Sequence, residues 1–174
     1  MKTLVVANQK GGVGKTSTLV HLAFDFLERG LKVVVIDLDT QANASYTLQS
    51  FRSGLVASEL FGGVPSSAWP QTATDFTDPN TQRMTLIGSD IGLANLEKKM
   101  SLAEAGSKFR EAIKTFEGQG FDVCLIDTAP SLGVTMAAAL LAADYVLSPI
   151  ELEAYSIQGI KQMVTTIAHL RKAN

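Results

Sequence analysis

The sequence predicts an α/β fold, a mostly parallel sheet covered by helices on both faces, in a single domain spanning residues 1–174. Three observations predict it. Short β-branched runs alternate with longer stretches of helical period, which is the signature of βαβ units. The runs are nearly continuous in apolar residues, as strands buried on both faces are. With 174 residues, 46% hydrophobic and 18% charged, the chain can build one real core and is too apolar to be disordered.

In chain order, strands are expected at residues 4–7, 33–38, 84–87, 121–126 and 145–150, each mostly buried. Between the first two, residues 16–29 carry Leu19, Leu22, Ala23, Phe26 and Leu27 on one stripe, with Thr18, His21, Asp25 and Glu28 opposite and Gly30 as the stop. Leu102, Ala105, Phe109, Ala112, Ile113 and Phe116 repeat that helical pattern. So do Ile157, Ile160, Met163, Val164, Ile167 and Leu170 in a helix expected over 156–172. Residues 61–83, with Pro65, Pro70, Pro79 and many Ser, Thr and Asp, break the rhythm and read as a long surface excursion, with Trp69 packed on the domain surface.

Other classes are disfavoured. The longest aliphatic run, Met136 to Ala143, ends at Asp144, far short of the roughly 20 residues a spanning helix needs. The stretch Leu4-Val5-Val6-Ala7 is too short for a signal-peptide core. A single cysteine, Cys124, allows no internal disulfide and reads as a small core residue, in keeping with an expected cytoplasmic location. His21 and His169 fall on polar helix faces without metal-ligand companions. The net charge of −2 leaves any nucleic-acid surface to a local patch, and Lys161, Arg171 and Lys172, with no acidic residue between Ser156 and Asn174, are the candidates.

The chemistry is concentrated in three places. After the first strand comes Gln9-Lys10-Gly11-Gly12-Val13-Gly14-Lys15-Thr16-Ser17, opening the first helix. Glycines let backbone N–H groups converge on a polyphosphate, Lys15 can bridge the β- and γ-phosphates, and the Thr16 hydroxyl can ligate Mg²⁺. Only Gln9 departs from the strict phosphate-loop pattern, which wants Gly there. Asp37 and Asp39 stand at the end of the second strand, and Asp127 at the end of the fourth, where carboxylates of parallel strands face the ligand crevice. These observations predict a P-loop NTPase fold, with Gly11, Gly12, Val13, Gly14, Lys15, Thr16 and Ser17 binding nucleotide, and Thr16 and Asp127 at the metal.

Asn8-Gln9-Lys10-Gly11-Gly12-Val13-Gly14-Lys15-Thr16, Asp37-Leu38-Asp39-x-Gln41-x-Asn43 and Asp127-x-x-Pro130-Ser131-Leu132-Gly133 together resemble the ParA family of DNA-segregation ATPases. The likeness runs on through Ser89-Asp90-Ile91 and from Ala142-Ala143-Asp144 to Ile150-Glu151. That wider group, with MinD and the nitrogenase iron protein, shares the deviant Walker A loop. The resemblance implies an ATPase in plasmid or chromosome partitioning that uses ATP and Mg²⁺. It also implies an ATP-dependent homodimer, nonspecific DNA binding, hydrolysis stimulated by a ParB-type partner, no membrane, and a nucleoid-associated location. On matching positions it makes Lys10 the signature lysine reaching the partner's nucleotide, Lys15 catalytic as well as binding, Asp39 the carboxylate that activates water, and Asp37 and Asp127 organisers of the magnesium shell. Thr40 and Ala129 stand where the family commonly has proline, which implies altered loop stiffness. Family members continue past the helix at 156–172, so the C-terminal part of the usual fold is expected to be absent from these residues. Competing readings are a MinD-like positioning ATPase at the membrane, disfavoured by Asn8-Gln9 before Lys10, and a non-hydrolysing ATP-dependent dimerisation switch. An iron protein would need more than one cysteine.

Overall fold

The structure, a computed structural model, describes residues 1–62, 69, 83–150 and 156–172. In chain order it runs β1 (Lys2–Val6), α1 (Lys15–Glu28), β2 (Val33–Asp37), α2 (Asn43–Thr47), β3 (Arg52–Val56), β4 (Met84–Gly88), α3 (Gly92–Lys99), α4 (Leu102–Gly118), β5 (Val123–Asp127), α5 (Val134–Ala142), β6 (Tyr145–Leu147) and α6 (Ser156–Lys172). The strands form one six-stranded sheet of order β3-β4-β2-β5-β1-β6, and every pairing is parallel.

Strand alternation divides the apolar residues between two cores. Val33 and Val35 of β2, Val6 of β1 and Leu125 of β5 face α1 and α2, where they meet Leu19, Ala23, Ala44 and Leu48. Val34, Ile36, Val5, Cys124 and Ile126 face the other way, onto the helices α3 to α6. In that second layer the apolar stripe of α4 buries Phe109 and Phe116. Phe109 stacks on Phe61 at 5.0 Å between ring centroids, and Trp69 meets Phe116 edge-on at 4.9 Å. Phe61 and Trp69, expected within the surface excursion, are thus core residues, and the rest of the excursion at 63–82 lies outside the described residues.

The structure corrects three further expectations. A sixth strand, β3, adds to the five expected; as an edge strand it buries only Leu55 and contains Gly54, so it shows no buried-strand pattern. The last expected strand ends at Leu147 and is not mostly buried: Tyr145 is 58% exposed, because β6 is the other edge of the sheet. The expected first strand is shifted to Lys2–Val6 and the fourth to Val123–Asp127, with Phe121 buried in the turn that precedes it.

What this arrangement positions is a set of strand ends. Because β5 lies between β2 and β1, the register sets Asp127 beside both Asp37 and Val6. The loop leaving β1 therefore meets the two acidic ends at the carboxyl edge of the sheet, where parallel α/β sheets bind ligands.

Candidate functional site

The loop after β1 is shaped by glycine where the backbone must be left-handed. Gly12 has φ +78° and Gly14, which caps α1, has φ +84°. A side chain at either would be strained by its own backbone even though the space around it is open. No side chain caps the start of α1. Its first N–H groups and the positive end of its dipole are left to a ligand, which makes this a natural anion site. Gly11, Gly12, Gly14, Lys15, Thr16 and Ser17 line a cleft of about 470 Å³ whose far wall comes from Asp39, Gln41, Asn43, Thr47 and Pro130.

Lys15 is buried, and its ammonium donates to the Lys10 carbonyl oxygen at 3.1 Å. Burial lowers its pKa, opposed by the charges of Asp127 and Asp39. Thr16 donates its hydroxyl proton to Asp127 Oδ2 at 2.6 Å. That bond orients the Thr16 oxygen so that its lone pairs remain available. Asp127 Oδ1 is buried and has no hydrogen-bond partner. Burial, then the charges of Asp37 and Asp39, push the Asp127 carboxyl up to about 7, against the pull of Thr16 and Lys15.

Lys10 is exposed at the mouth of the loop, its N–H held by Asn8 Oδ1 at 2.9 Å. Asn8 is itself anchored to the Pro149 carbonyl oxygen at 2.7 Å, tying the loop to the segment after β6.

Asp37 and Asp39, two residues apart, do different things. Asp39 reaches the cleft wall, its Oδ1 accepting from Gln41 N–H at 2.9 Å. Asp37 is fully buried: Oδ1 accepts from Asp39 N–H at 3.0 Å, and Oδ2 accepts from both the N–H and the hydroxyl of Ser45, at 2.8 and 2.7 Å. Burial raises its pKa, and these bonds oppose the rise. Any part Asp37 takes in a metal shell would therefore act through the loop it holds. Val13 is half-buried and is not among the residues lining the cleft.

Among the described residues, no group of three or more His, Cys, Asp or Glu side chains is arranged to hold a metal ion. Magnesium does not need such a cage, because it keeps waters and is usually held by one or two protein oxygens together with substrate phosphates. An orphaned buried carboxylate oxygen on Asp127, next to an oriented threonine hydroxyl, fits that requirement. Gln41, Asn43 and Pro130 had a sequence signal in the motifs that carried the resemblance. Thr47 and Ser45 had none, since their roles depend on α2 folding back over β2.

Away from the cleft, His21 and His169 are exposed and Cys124 is fully buried, which pushes its thiol pKa up. Lys161 and Lys172 are exposed on α6, while the side chain of Arg171 lies outside the described residues. No described helix is long and apolar enough to cross a membrane.

The AAA domain family matches the whole chain, residues 1–174. Protein IncC of Escherichia coli is 67% identical over 174 residues, covering 100% of this chain and 48% of that protein. The chromosome-partitioning ATPase Soj of Thermus thermophilus is 32% identical, covering 98% of this chain and 63% of Soj. Among solved structures, cobyrinic acid a,c-diamide synthase from Mycobacterium smegmatis with bound ATP analogue and magnesium superposes with a TM-score of 0.79 at 33% identity, over 99% of this chain and 69% of that one. The chain spans about half the length of IncC.

Proposed function

The chain belongs to the ParA family of partition ATPases within the AAA domain family, and from that premise we infer that it binds ATP with magnesium, dimerises around it and hydrolyses it in plasmid or chromosome partitioning. The observation that carries this reading is a left-handed glycine loop and an uncapped helix start lining one cleft, with buried Asp127 joined to that lining by one oxygen on Thr16 and its other oxygen without a partner. An ATP analogue with magnesium in the Mycobacterium smegmatis neighbour supports it.

Gly11 to Ser17 cradle the phosphates, and Lys15 exchanges its bond to the Lys10 carbonyl for phosphate oxygens. Thr16 and Asp127 would hold magnesium, which when bound neutralises phosphate charge. Asp39 orients the attacking water, and Asp37 keeps the Asp39 loop in place. Lys10 is redundant within one subunit, because Lys15 already serves the cis phosphates. It acts across an isologous dimer on the facing nucleotide, much as an arginine finger does. Lys161, Arg171 and Lys172 supply nonspecific DNA contacts, and a ParB-type protein stimulates turnover. The protein works in the cytoplasm on the nucleoid.

The test is a mixing experiment. Lys10→Ala should leave monomeric ATP binding intact but abolish dimerisation and stimulated hydrolysis, and Asp39→Ala should bind ATP without turning it over. A mixed dimer holds one site with an intact Asp39 and an incoming Lys10, so hydrolysis should partly return. If mixed dimers form and none returns, the trans role of Lys10 is wrong.

A further inference from the structure

One buried hydroxyl joins three segments that the chemistry needs together. Ser45, 1% exposed in the first turn of α2, gives its hydroxyl proton to Asp37 Oδ2 at 2.7 Å. Its oxygen accepts from the N–H of Ser89, at the end of β4, at 2.7 Å. Its own N–H, one of the unsatisfied donors of a helix start, also goes to Asp37 Oδ2. Ala42, the cap residue of α2, offers no side-chain bond, so Asp37 caps the helix from the strand before it. The other oxygen of Asp37 receives the N–H of Asp39. From Ser89 just after β4, through Ser45 and Asp37, a continuous run of hydrogen bonds therefore ends on the backbone of the residue that faces the cleft. Ala42 N–H closes the same loop onto the Asp39 carbonyl oxygen at 2.8 Å. Ser45 itself does not line the cleft and makes no bond to the phosphate loop.

We propose that Ser45 is a positioning residue for Asp39: its hydroxyl clamps Asp37 and the end of β4 together and so fixes the backbone that aims the Asp39 carboxylate into the cleft. This rests on the reading of Asp39 as the water-orienting group. A hydroxyl bonded on both sides cannot rotate freely, and a group that must be held to within a fraction of an ångström benefits from such a neighbour. Because the clamp contacts no nucleotide-binding atom, it should act on turnover and leave affinity alone.

The experiment compares the parent chain with Ser45→Ala, Ser45→Thr and Asp39→Ala, reading kcat and KM for ATP alongside the ATP dissociation constant. Amide hydrogen exchange provides a second readout. Ser45→Ala should lower kcat tenfold or more while KM and ATP affinity stay within twofold, and Ser45→Thr, which keeps the hydroxyl, should recover most of the loss. Exchange at the Asp39 and Ser89 amides should quicken at least tenfold in the alanine variant, with the amides of Gly11 to Ser17 unchanged. A parallel fall in affinity and kcat, or quickened exchange across the whole chain, would mean a merely structural residue and overturn the proposal. Full turnover by Ser45→Ala beside an inactive Asp39→Ala overturns the Ser45 role alone. Full turnover by Asp39→Ala, or none by the parent chain, overturns the reading of the site and this proposal together.

Discussion

Strands β2 and β5 are close to the same sequence, Val33-Val34-Val35-Ile36-Asp37 and Val123-Cys124-Leu125-Ile126-Asp127, and they lie side by side with Asp37 opposite Asp127. Their terminal carboxylates nevertheless have opposite surroundings. Asp37 accepts three hydrogen bonds from its own following loop and helix. Asp127 accepts one, from Thr16, and keeps a buried oxygen with no partner. Buried polar groups are normally satisfied, and an exception needs an explanation. On the proposed reading the explanation is chemical: one carboxylate is spent on architecture, and the other would be held for a cation.

The largest expected effect would break that comparison most directly. Asp37→Ala leaves the Asp39 N–H and both Ser45 donors without their acceptor in a buried place, at a cost of about 3–5 kcal/mol in folding stability. Asp127→Ala releases a single donor, the Thr16 hydroxyl, which lines the cleft and can turn to water; its cost should stay within about 1 kcal/mol. Urea unfolding of the two variants measures this. Equal losses would mean that the two strand ends do the same work.

The pH dependence of stability comes next in size. The Asp127 carboxyl is pushed up to about 7 from an ordinary value of 3.8, so between those pH values the native state holds a proton that the unfolded chain has lost. Ligand-free stability should therefore be greatest below about pH 4 on this account and fall as pH rises to about 7, by roughly 2–4 kcal/mol. Asp127→Asn, which cannot ionise, should remove most of that slope and be the more stable protein at pH 8. The Asp37 carboxyl is raised too, and the slope remaining in the variant measures its share. A parent chain with no slope over this window would contradict the burial that raises this carboxyl.

How much of this was legible in the sequence follows from where the partners come from. The phosphate loop could be read because its parts are consecutive, from Lys10 to Ser17, and the strand ends could be read because parallel sheets face ligands with that edge. The division of labour between Asp37 and Asp127 could not, because it depends on Ser45, eight residues on from Asp37, and Thr16, 111 residues before Asp127. The helix α5 gave no periodic signal because five of its nine residues, from Met136 to Leu140, are consecutive and buried. The strand β3 failed for the opposite reason, being too exposed to show a buried pattern.

Lys15, a member of the phosphate loop itself, extends the contrast. Lys15 is attracted by both Asp127 and Asp39, yet its hydrogen bond goes to a backbone carbonyl. That bond can be exchanged for another acceptor, whereas Asp127 Oδ1 has none to give up. Lys15→Ala should weaken ATP binding by about 1.5–3 kcal/mol, roughly 10- to 150-fold. Titration calorimetry checks it, and undiminished affinity would remove the lysine from the phosphate site.

The smallest expected effect concerns the strain that the saturated β2 end tolerates. Ala42 has φ 56° and ψ 32°, and among the described residues it alone is left-handed without being glycine. That conformation costs a Cβ-bearing residue about 1–2 kcal/mol. Glycine would be free of the cost but would lose about 0.4–1 kcal/mol more on folding, because its unfolded chain is less restricted. The first term outweighs the second, so Ala42→Gly should stabilise the chain by roughly 0.5–1 kcal/mol. The gain depends on the hydrogen bonds that enforce the turn, from Ala42 N–H to the Asp39 carbonyl and from Ser45 to Asp37. In a Ser45→Ala background the loop has less holding it left-handed, and the alanine can relax by itself. The glycine substitution should then gain less than half as much. A gain of the same size in both backgrounds, measured by urea unfolding, would show that the strain at Ala42 is set by the local turn alone and owes nothing to the buried network beneath it.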